Sequence, residues 1–459
     1  MRQLQFLILF LFSSFLFAQP KITGNVTVDM ENGLIDCDFS ISALPNLKDY
    51  SILLNKGMNI KYFKNKSGNL VYYEGHYDGK MKGEALEYFL ADENSKLNLP
   101  NELNVSYIGA FPVYQNDFNM FDYKGIIAFN GKTLRAAEQT KWYPVIYDVT
   151  NDKLIDSYLY DITITVKGNS QLSIFINGSP PKKAQKSRFK SEKAQQPLLF
   201  IGNYNFLEKD GNFILNSDVD KETADKIFSN IEMIKKVLSK NLESDFQDKI
   251  YIINHIPVNK RDKGSNWGFN TYPTFAFAGL DFKDLINKNG KISDNNYKFF
   301  GHEFGHNYFG SNVMSGKLSW FWVESFAEYL SFNVVEELCG KDYLKQVLTD
   351  KLKIVNDKNF IPLSKITNTE QIDQTYRYHL APLLLKLFED QFGKEKTNKT
   401  LKNLLEISKK GTLTLESLEK SAIKAGISKY DFTAFKNKYL DNDNFKQNII
   451  NHIKEFHKI

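Results

Sequence analysis

The hydrophobic period of this chain changes part-way along its length, and that change limits the folds open to it. From Lys21 to about Gly178, short alternating runs such as Ile22-Thr23-Gly24-Asn25-Val26-Thr27-Val28 and Asp161-Ile162-Thr163-Ile164-Thr165-Val166 are separated by Asn, Gly and Asp. Alternation at period two between turn residues predicts half-buried antiparallel strands. The expectation is an N-terminal β-sandwich-like domain over 19–178. After Pro197, apolar runs at 198–201 and 249–253 predict strands, and between them Ile227, Ile231, Ile234 and Leu238 recur at helical spacing within Lys221–Leu242. From Tyr297 onward helical patterns dominate, at 297–309, 323–338, 381–392 and 431–453. Between the two regimes, Asn177-Gly178-Ser179-Pro180-Pro181 and the Lys, Ser and Gln run to Gln196 read as a linker over 179–196. The predicted fold is therefore multidomain α+β, with the β domain followed at 197–459 by a mixed domain whose C-terminal part is helical. No internal repeat is evident.

With 459 residues, 42% of them hydrophobic, the chain is long enough for two or three domains with sizeable cores. The 59 Lys and Arg against 54 Asp and Glu leave only +5. The one dense basic cluster, Lys182, Lys183, Lys186, Arg188, Lys190 and Lys193, falls in the expected linker. It reads as a solvated segment rather than a binding patch, and no nucleic-acid partner is expected. Two cysteines, Cys37 and Cys339, exclude a disulfide framework.

Arg2, the apolar run from Phe6 to Phe17 broken only by Ser13 and Ser14, and then Ala18 and Gln19 read as a secretory signal peptide over 1–18. The alternative is an uncleaved anchor. Cleavage would leave Gln19 first and no integral membrane segment, giving a secreted or periplasmic protein.

The strongest chemical signal is His302-Glu303-Phe304-Gly305-His306. On a helix, residues four apart share a face, so both imidazoles can address one metal ion while Glu303 reaches its water. Gly305 weakens that helix by about 1 kcal/mol relative to Ala and so asks for tertiary support. A catalytic zinc site needs a third protein ligand. Glu324 is the candidate, in Trp320-Phe321-Trp322-Val323-Glu324-Ser325-Phe326-Ala327-Glu328-Tyr329, on a helix that returns after a connection. Glu328, one turn later, either competes for that position or orients a ligand histidine. His76, His255, His452 and His457 have no partner at metal spacing, and His379 reads as a packed or surface residue.

These residues resemble the aminopeptidase-N-like (membrane alanyl aminopeptidase) branch of the gluzincin zinc metallopeptidases. H-E-F-G-H-N-Y-F-G followed by F-W-V-E-S-F-A is similar to that family's H-E-x-x-H-x-W-F-G-N and W-L-N-E-G-F-A blocks. Upstream, Asn266-Trp267-Gly268-Phe269-Asn270-Thr271-Tyr272 resembles the end of G-x-M-E-N-W-G-x-x-T-Y. Downstream, Tyr378 before Leu383-Leu384-Leu385-Lys386-Leu387 resembles Y-x-K-G-A and the apolar helix after it. The resemblance implies a thermolysin-like catalytic domain and one zinc ion per chain held by His302, His306 and Glu324. It further implies Tyr378 as transition-state stabiliser and a peptide substrate. The chain departs from the pattern in several places: the family's amine-binding glutamate is Ser265, N-E-G reads Val323-Glu324-Ser325, and K-G-A reads Leu380-Ala381-Pro382.

The expected function is a zinc-dependent metallopeptidase, aminopeptidase-like, in which Glu303 is the general base and Tyr378 supports the oxyanion, with Tyr376 as an alternative to it. Asn266, Trp267 and Gly268 are candidates for lining the substrate cleft, although turn and core packing account for them as well. Ser265 keeps endopeptidase action open. The alternatives of another class are a non-catalytic zinc-containing peptide-binding protein and a polybasic surface binder acting through 179–196.

Overall fold

The computed structural model describes residues 19–76, 84–90, 98–113, 127–130, 132–168, 171–244, 248–255 and 267–459. The expected signal segment, together with Ser265 and Asn266, lies outside these residues.

The alternating runs fold into strands, as their period requires, but the two at 22–28 and 161–166 pair with each other in parallel, not antiparallel as expected, because period-two alternation fixes which face is buried and not the direction of the neighbour. A six-stranded sheet is ordered Lys186–Lys190, Leu159–Val166, Lys21–Asp29, Leu34–Ser42, Glu102–Ala110, Met58–Asn65. One face of each central strand is buried, so Ile22, Val26 and Val28 alternate with half-exposed neighbours. A five-stranded sheet around Tyr50–Asn55 and a second around Leu172–Ile176 complete the β region, and the three share one hydrophobic core. Two of its fully buried aromatics have their polar atoms satisfied. The Tyr107 hydroxyl donates to the Trp142 carbonyl at 2.8 Å, and Trp142 Nε1 donates to the Pro197 carbonyl at 2.8 Å.

Two expectations are corrected here. The segment 179–196 is not a free linker: Lys182–Ala184 pairs with Leu172–Ile176, and Lys186–Lys190 pairs with Leu159–Val166. Arg188 forms a two-pronged ion pair with Asp161 at 2.6 and 2.7 Å. The basic residues are the exposed positions of outer strands, where charge protects an open edge, while Phe189 points inward and is buried. Leu199–Gly202, expected after the boundary, also pairs within the β region, against Leu172–Ile176 and Thr133–Ala136.

The second half begins with a sheet ordered Phe206–Lys209, Asn212–Leu215, Tyr251–His255, Thr274–Ala278, Trp267–Thr271. Its middle strands are parallel, and Trp267–Thr271 is an antiparallel outer strand. Phe175, Phe200, Phe213, Tyr251 and Phe269 form a small core that joins this sheet to the β region. Polar bonds lock the same seam: Asn177 Nδ2 donates to the Tyr272 carbonyl at 2.7 Å, and Thr271 Oγ1 donates to buried Glu138 at 2.6 Å.

The helices pack on this sheet and on one another in a single core. They are α1 (Lys221–Leu242), α2 (Asp294–Gly305), α3 (Phe326–Leu338), α4 (Lys341–Asn356), α5 (Ala381–Phe392), α6 (Lys394–Ser408), α7 (Leu415–Lys424), α8 (Lys429–Tyr439) and α9 (Phe445–His457). The helix expected over 431–453 is divided into α8 and α9, because Asp441-Asn442-Asp443-Asn444 favours a turn, with Asn442 Oδ1 accepting from Asn444 N at 2.8 Å. The two-part architecture expected from the change of period, sheets first and helices last, is present. Among the described residues no helix is long and apolar enough to cross a membrane.

Candidate metal centre

The site is assembled where α2 lies against α3. Ser293 caps α2, accepting from Asn296 N, and His302, Glu303 and His306 fall on its last turn and C-terminal cap. Gly305 is needed for contact: a Cβ there would come within 2.9 Å of the Ala327 backbone on α3. The packing that this approach allows supplies the tertiary support that the residue's poor helix propensity demands.

Both histidines turn Nε2 inward. His302 Nε2 is 3.3 Å and His306 Nε2 3.5 Å from the same oxygen, Oε2 of Glu324. The three ligand atoms lie within 4.8 Å of one another, and among the described residues this is the group of His, Cys, Asp and Glu close enough to hold a metal. An ion bound tetrahedrally at about 2.0–2.2 Å would set its ligands roughly 3.3–3.6 Å apart, which the two measured separations match. Glu324 Oε2 is shut off from solvent and accepts no hydrogen bond of good geometry. Burial alone would raise its pKa, but the His306 and His302 imidazoles outweigh burial and hold it well below the usual carboxylate range. A buried anionic oxygen facing two ring nitrogens fits a divalent cation.

Glu324 sits in a π-turn, Phe321–Ser325, that leads into α3. The rings of Phe321 and Trp322 are 4.8 Å apart and those of Phe309 and Phe326 4.6 Å, so an aromatic cluster fixes the turn.

The outer nitrogens of the two histidines are also held. His306 Nδ1 is 3.1 Å from the Phe309 carbonyl. His302 Nδ1 is 2.9 Å from Oε2 of Glu328, whose other oxygen meets Lys351 Nζ at 2.5 Å and Lys298 Nζ at 2.9 Å. Glu328 thus faces the outer nitrogen of His302 and lies outside the inward-facing group, where the second of its two readings would put it. Burial opposes ionisation of Glu328, but Lys351, Lys298 and His302 outweigh it and keep its pKa well below the usual range.

Glu303 stands beside this group next to the outer strand: a Cβ on Gly268 would lie 3.0 Å from Glu303 Oε1, so the strand's backbone passes close to the carboxylate. Asn270 ties the strand to the helix end, donating to the Glu303 carbonyl at 3.1 Å and to Asn307 Oδ1 at 2.9 Å. Trp267 opens the strand, and Asn266 is outside the described residues.

Tyr378 belongs to a second π-turn, Tyr376–Leu380, with its ring 5.7 Å from that of His302. Burial first, then the Glu324 carboxylate, raises its pKa above the ordinary phenol value, so it stays protonated and able to donate. Its carbonyl accepts from Lys351 Nζ at 2.6 Å. Tyr376, the alternative, is buried in the core and donates to the Ile361 carbonyl at 2.9 Å. His379 is half-buried and outside the metal group; burial and the charge of Lys351 bring its pKa down to about 4. Sequence reasoning missed Asn270 as a clamp and Lys298 and Lys351 as partners of Glu328. The only advance signal was the i,i+4 relation of Glu328 to Glu324.

No protein-family model matches the chain, and no curated protein matches its sequence. Solved structures share its fold. Yeast LTA4 hydrolase superposes with a TM-score of 0.61 at 13% identity, over 90% of this chain and 65% of that one. This chain thus spans less than two thirds of the yeast protein. An M1 zinc metallopeptidase from Deinococcus radiodurans superposes with a TM-score of 0.60 at 12% identity, over 92% of this chain and 94% of that one. A mutant of the same enzyme, bound to a Tyr-Ser-Ala substrate, gives 0.58 at 14% identity, over 95% and 93%. The chain has the fold of M1 zinc metallopeptidases.

Proposed function

We propose that this protein is a zinc-dependent metallopeptidase. The observation that carries the reading is the convergence of His302 Nε2, His306 Nε2 and Glu324 Oε2 on one point, with the Glu303 carboxylate beside it and unpaired among the described residues. The fold shared with zinc metallopeptidases, one of them bound to a Tyr-Ser-Ala substrate, supports it.

His302, His306 and Glu324 would hold the ion, which when bound lowers the pKa of its water and polarises a scissile carbonyl. Glu303 takes the proton from the attacking water and delivers it to the leaving amine. The Tyr378 phenol donates to the oxygen on which negative charge develops. The strand Trp267–Thr271, last in the described sheet and beside Glu303, is placed for an extended peptide to align along it. Phe309 and Glu328, holding the outer nitrogens, keep each imidazole in the tautomer that presents Nε2 inward.

Aminopeptidase-like action is the finer reading that the sequence resemblance supports, whereas Ser265 in place of the family's amine-binding glutamate favours tolerance of blocked N-termini. The apolar run before Gln19 supports a secreted or periplasmic location. The test loads the protein with zinc and follows cleavage of peptides with free and acetylated N-termini, in wild type and in Glu303→Gln. Cleavage by wild type, with about 10²- to 10⁴-fold less in a zinc-replete Glu303→Gln, is expected. Stoichiometric zinc without cleavage in either would favour the peptide-binding protein, and cleavage of acetylated peptides would rule out a strict need for the amine.

A further inference from the structure

Arg377 belongs to the second π-turn and reaches Trp320 at the head of the first, and among the described residues no acidic group satisfies it. Its guanidinium carbon is 4.4 Å from the centre of the Trp320 ring and 5.3 Å from that of Tyr378, so the planar cation is wedged between two aromatic faces beside the candidate catalytic phenol. Among the described residues it makes no ion pair, and its Nε is shut off from solvent with no hydrogen-bond partner. The natural helical partner is Asp373, four residues earlier, but the Asp373 carboxylate turns away and accepts from Tyr376 N at 2.7 Å. A fixed fork of donors, stacked and lacking a carboxylate, next to a peptide-cleaving centre is suited to an anionic group on the substrate.

Resting on the metallopeptidase reading, the geometry points to Arg377 as a specificity residue that binds a substrate carboxylate. The guanidinium carbon is 5.3 Å from the Tyr378 ring, which is itself 5.7 Å from the His302 ring, so the cation lies at most about 11 Å from that ligand, within three residues of extended peptide. The carboxylate is thus either the C-terminus of a short peptide or an Asp or Glu side chain close to the scissile bond. Recognition by stacking plus a bidentate bond makes Lys a poor substitute and Gln none.

The test uses one short peptide sequence in four forms: C-terminal acid or amide, each with Glu or Gln flanking the cleaved bond. Binding is measured calorimetrically with the zinc-loaded Glu303→Gln protein, alone and combined with R377Q or R377K, and turnover is measured in the Glu303 background. The carboxylate form should bind roughly 10- to 100-fold tighter than its neutral counterpart. R377Q should erase that ratio and R377K should keep part of it. Discrimination by acid against amide assigns the terminal carboxylate, and Glu against Gln assigns the side chain. Equal affinity for charged and neutral forms, no binding of either, or a ratio that survives R377Q overturns the proposal. A uniform fall in kcat across all four peptides without loss of selectivity also overturns it, since that is the signature of a group that only supports Tyr378. Failure of the peptidase reading is separately visible, as intact discrimination in binding with no turnover.

Discussion

Replacing Glu328 with Gln removes one charge and tests the support beneath the metal group. Its carboxylate lies 2.9 Å from His302 Nδ1, 2.9 Å from Lys298 and 2.5 Å from Lys351, and Lys351 is only 4% exposed. Stripping the partner from a buried ion pair costs about 3–5 kcal/mol, because an uncompensated cation is left inside. Lys351 can relieve part of this by releasing its proton, since burial already lowers its pKa. A second effect concerns the metal: loss of a carboxylate behind a ligand histidine typically weakens affinity by about 10- to 100-fold, or roughly 1.4–2.7 kcal/mol. Denaturant unfolding with chelator reports the first effect, and the added stability at saturating zinc reports the second. Pairing Glu328→Gln with Lys351→Met should restore most of the chelated stability without restoring zinc affinity, because the methionine removes the stranded charge but not the defect at His302. Because the Glu328 pKa is held well below its ordinary 4.5, the network contributes throughout neutral pH and is lost only on acidification past the usual carboxylate range. A Glu328→Gln protein within about 0.5 kcal/mol of wild type and with unchanged zinc affinity would refute the reasoning.

Two further outcomes follow from the same structure. Under the proposed metallopeptidase reading, in which the phenol acts on developing charge and Glu328 faces His302 unchanged, Tyr378→Phe should lower kcat about 10²- to 10³-fold with little change in KM or zinc content, as measured by steady-state peptide hydrolysis and metal analysis. Far from the site, Asp390 on α5 meets Lys386 at 2.9 Å and His457 of α9 at 2.8 Å. Burial would raise its pKa, but His457 and Lys386 outweigh it and bring it below 3.8, so its stabilising contribution is present above that value and lost as pH falls through the folded-state pKa. Asp390→Asn should therefore be less stable than wild type at neutral pH, with a gap that narrows below pH 3.8 in urea unfolding series.

How far the sequence was legible depended on whether a residue's neighbours were local. His302, Glu303 and His306 were readable because a helix brings positions four apart together whatever surrounds it. Glu324 was readable as the acid opening the next apolar helix. Its partner Glu328 was ambiguous, since two acids one turn apart look alike until packing puts Lys351 and Lys298 against only one of them. Those lysines come from α4 and α2 and carry no sequence signal, because lysine is ordinarily a surface residue. Lys186-Ser187-Arg188-Phe189-Lys190 was misread for the opposite reason: an outer strand with one buried residue and charges facing water has the composition of a solvated linker. Arg377 looks ordinary in the sequence, and only Trp320, far away along the chain, reveals it.

The two π-turns also bear on how this chain can vary. Each carries one residue more than an α-turn, and each residue of a helix advances about 100° around the axis. Deleting a single residue from Phe321–Ser325 would let the segment relax to ordinary helix, swinging the Glu324 carboxylate by a large fraction of a circle relative to the face of α3 that meets α2. The same holds for Tyr376–Leu380, Tyr378 and α5. Around this centre, homologous chains can exchange many side chains and keep the chemistry, but a one-residue change of length within either widened turn dismantles it.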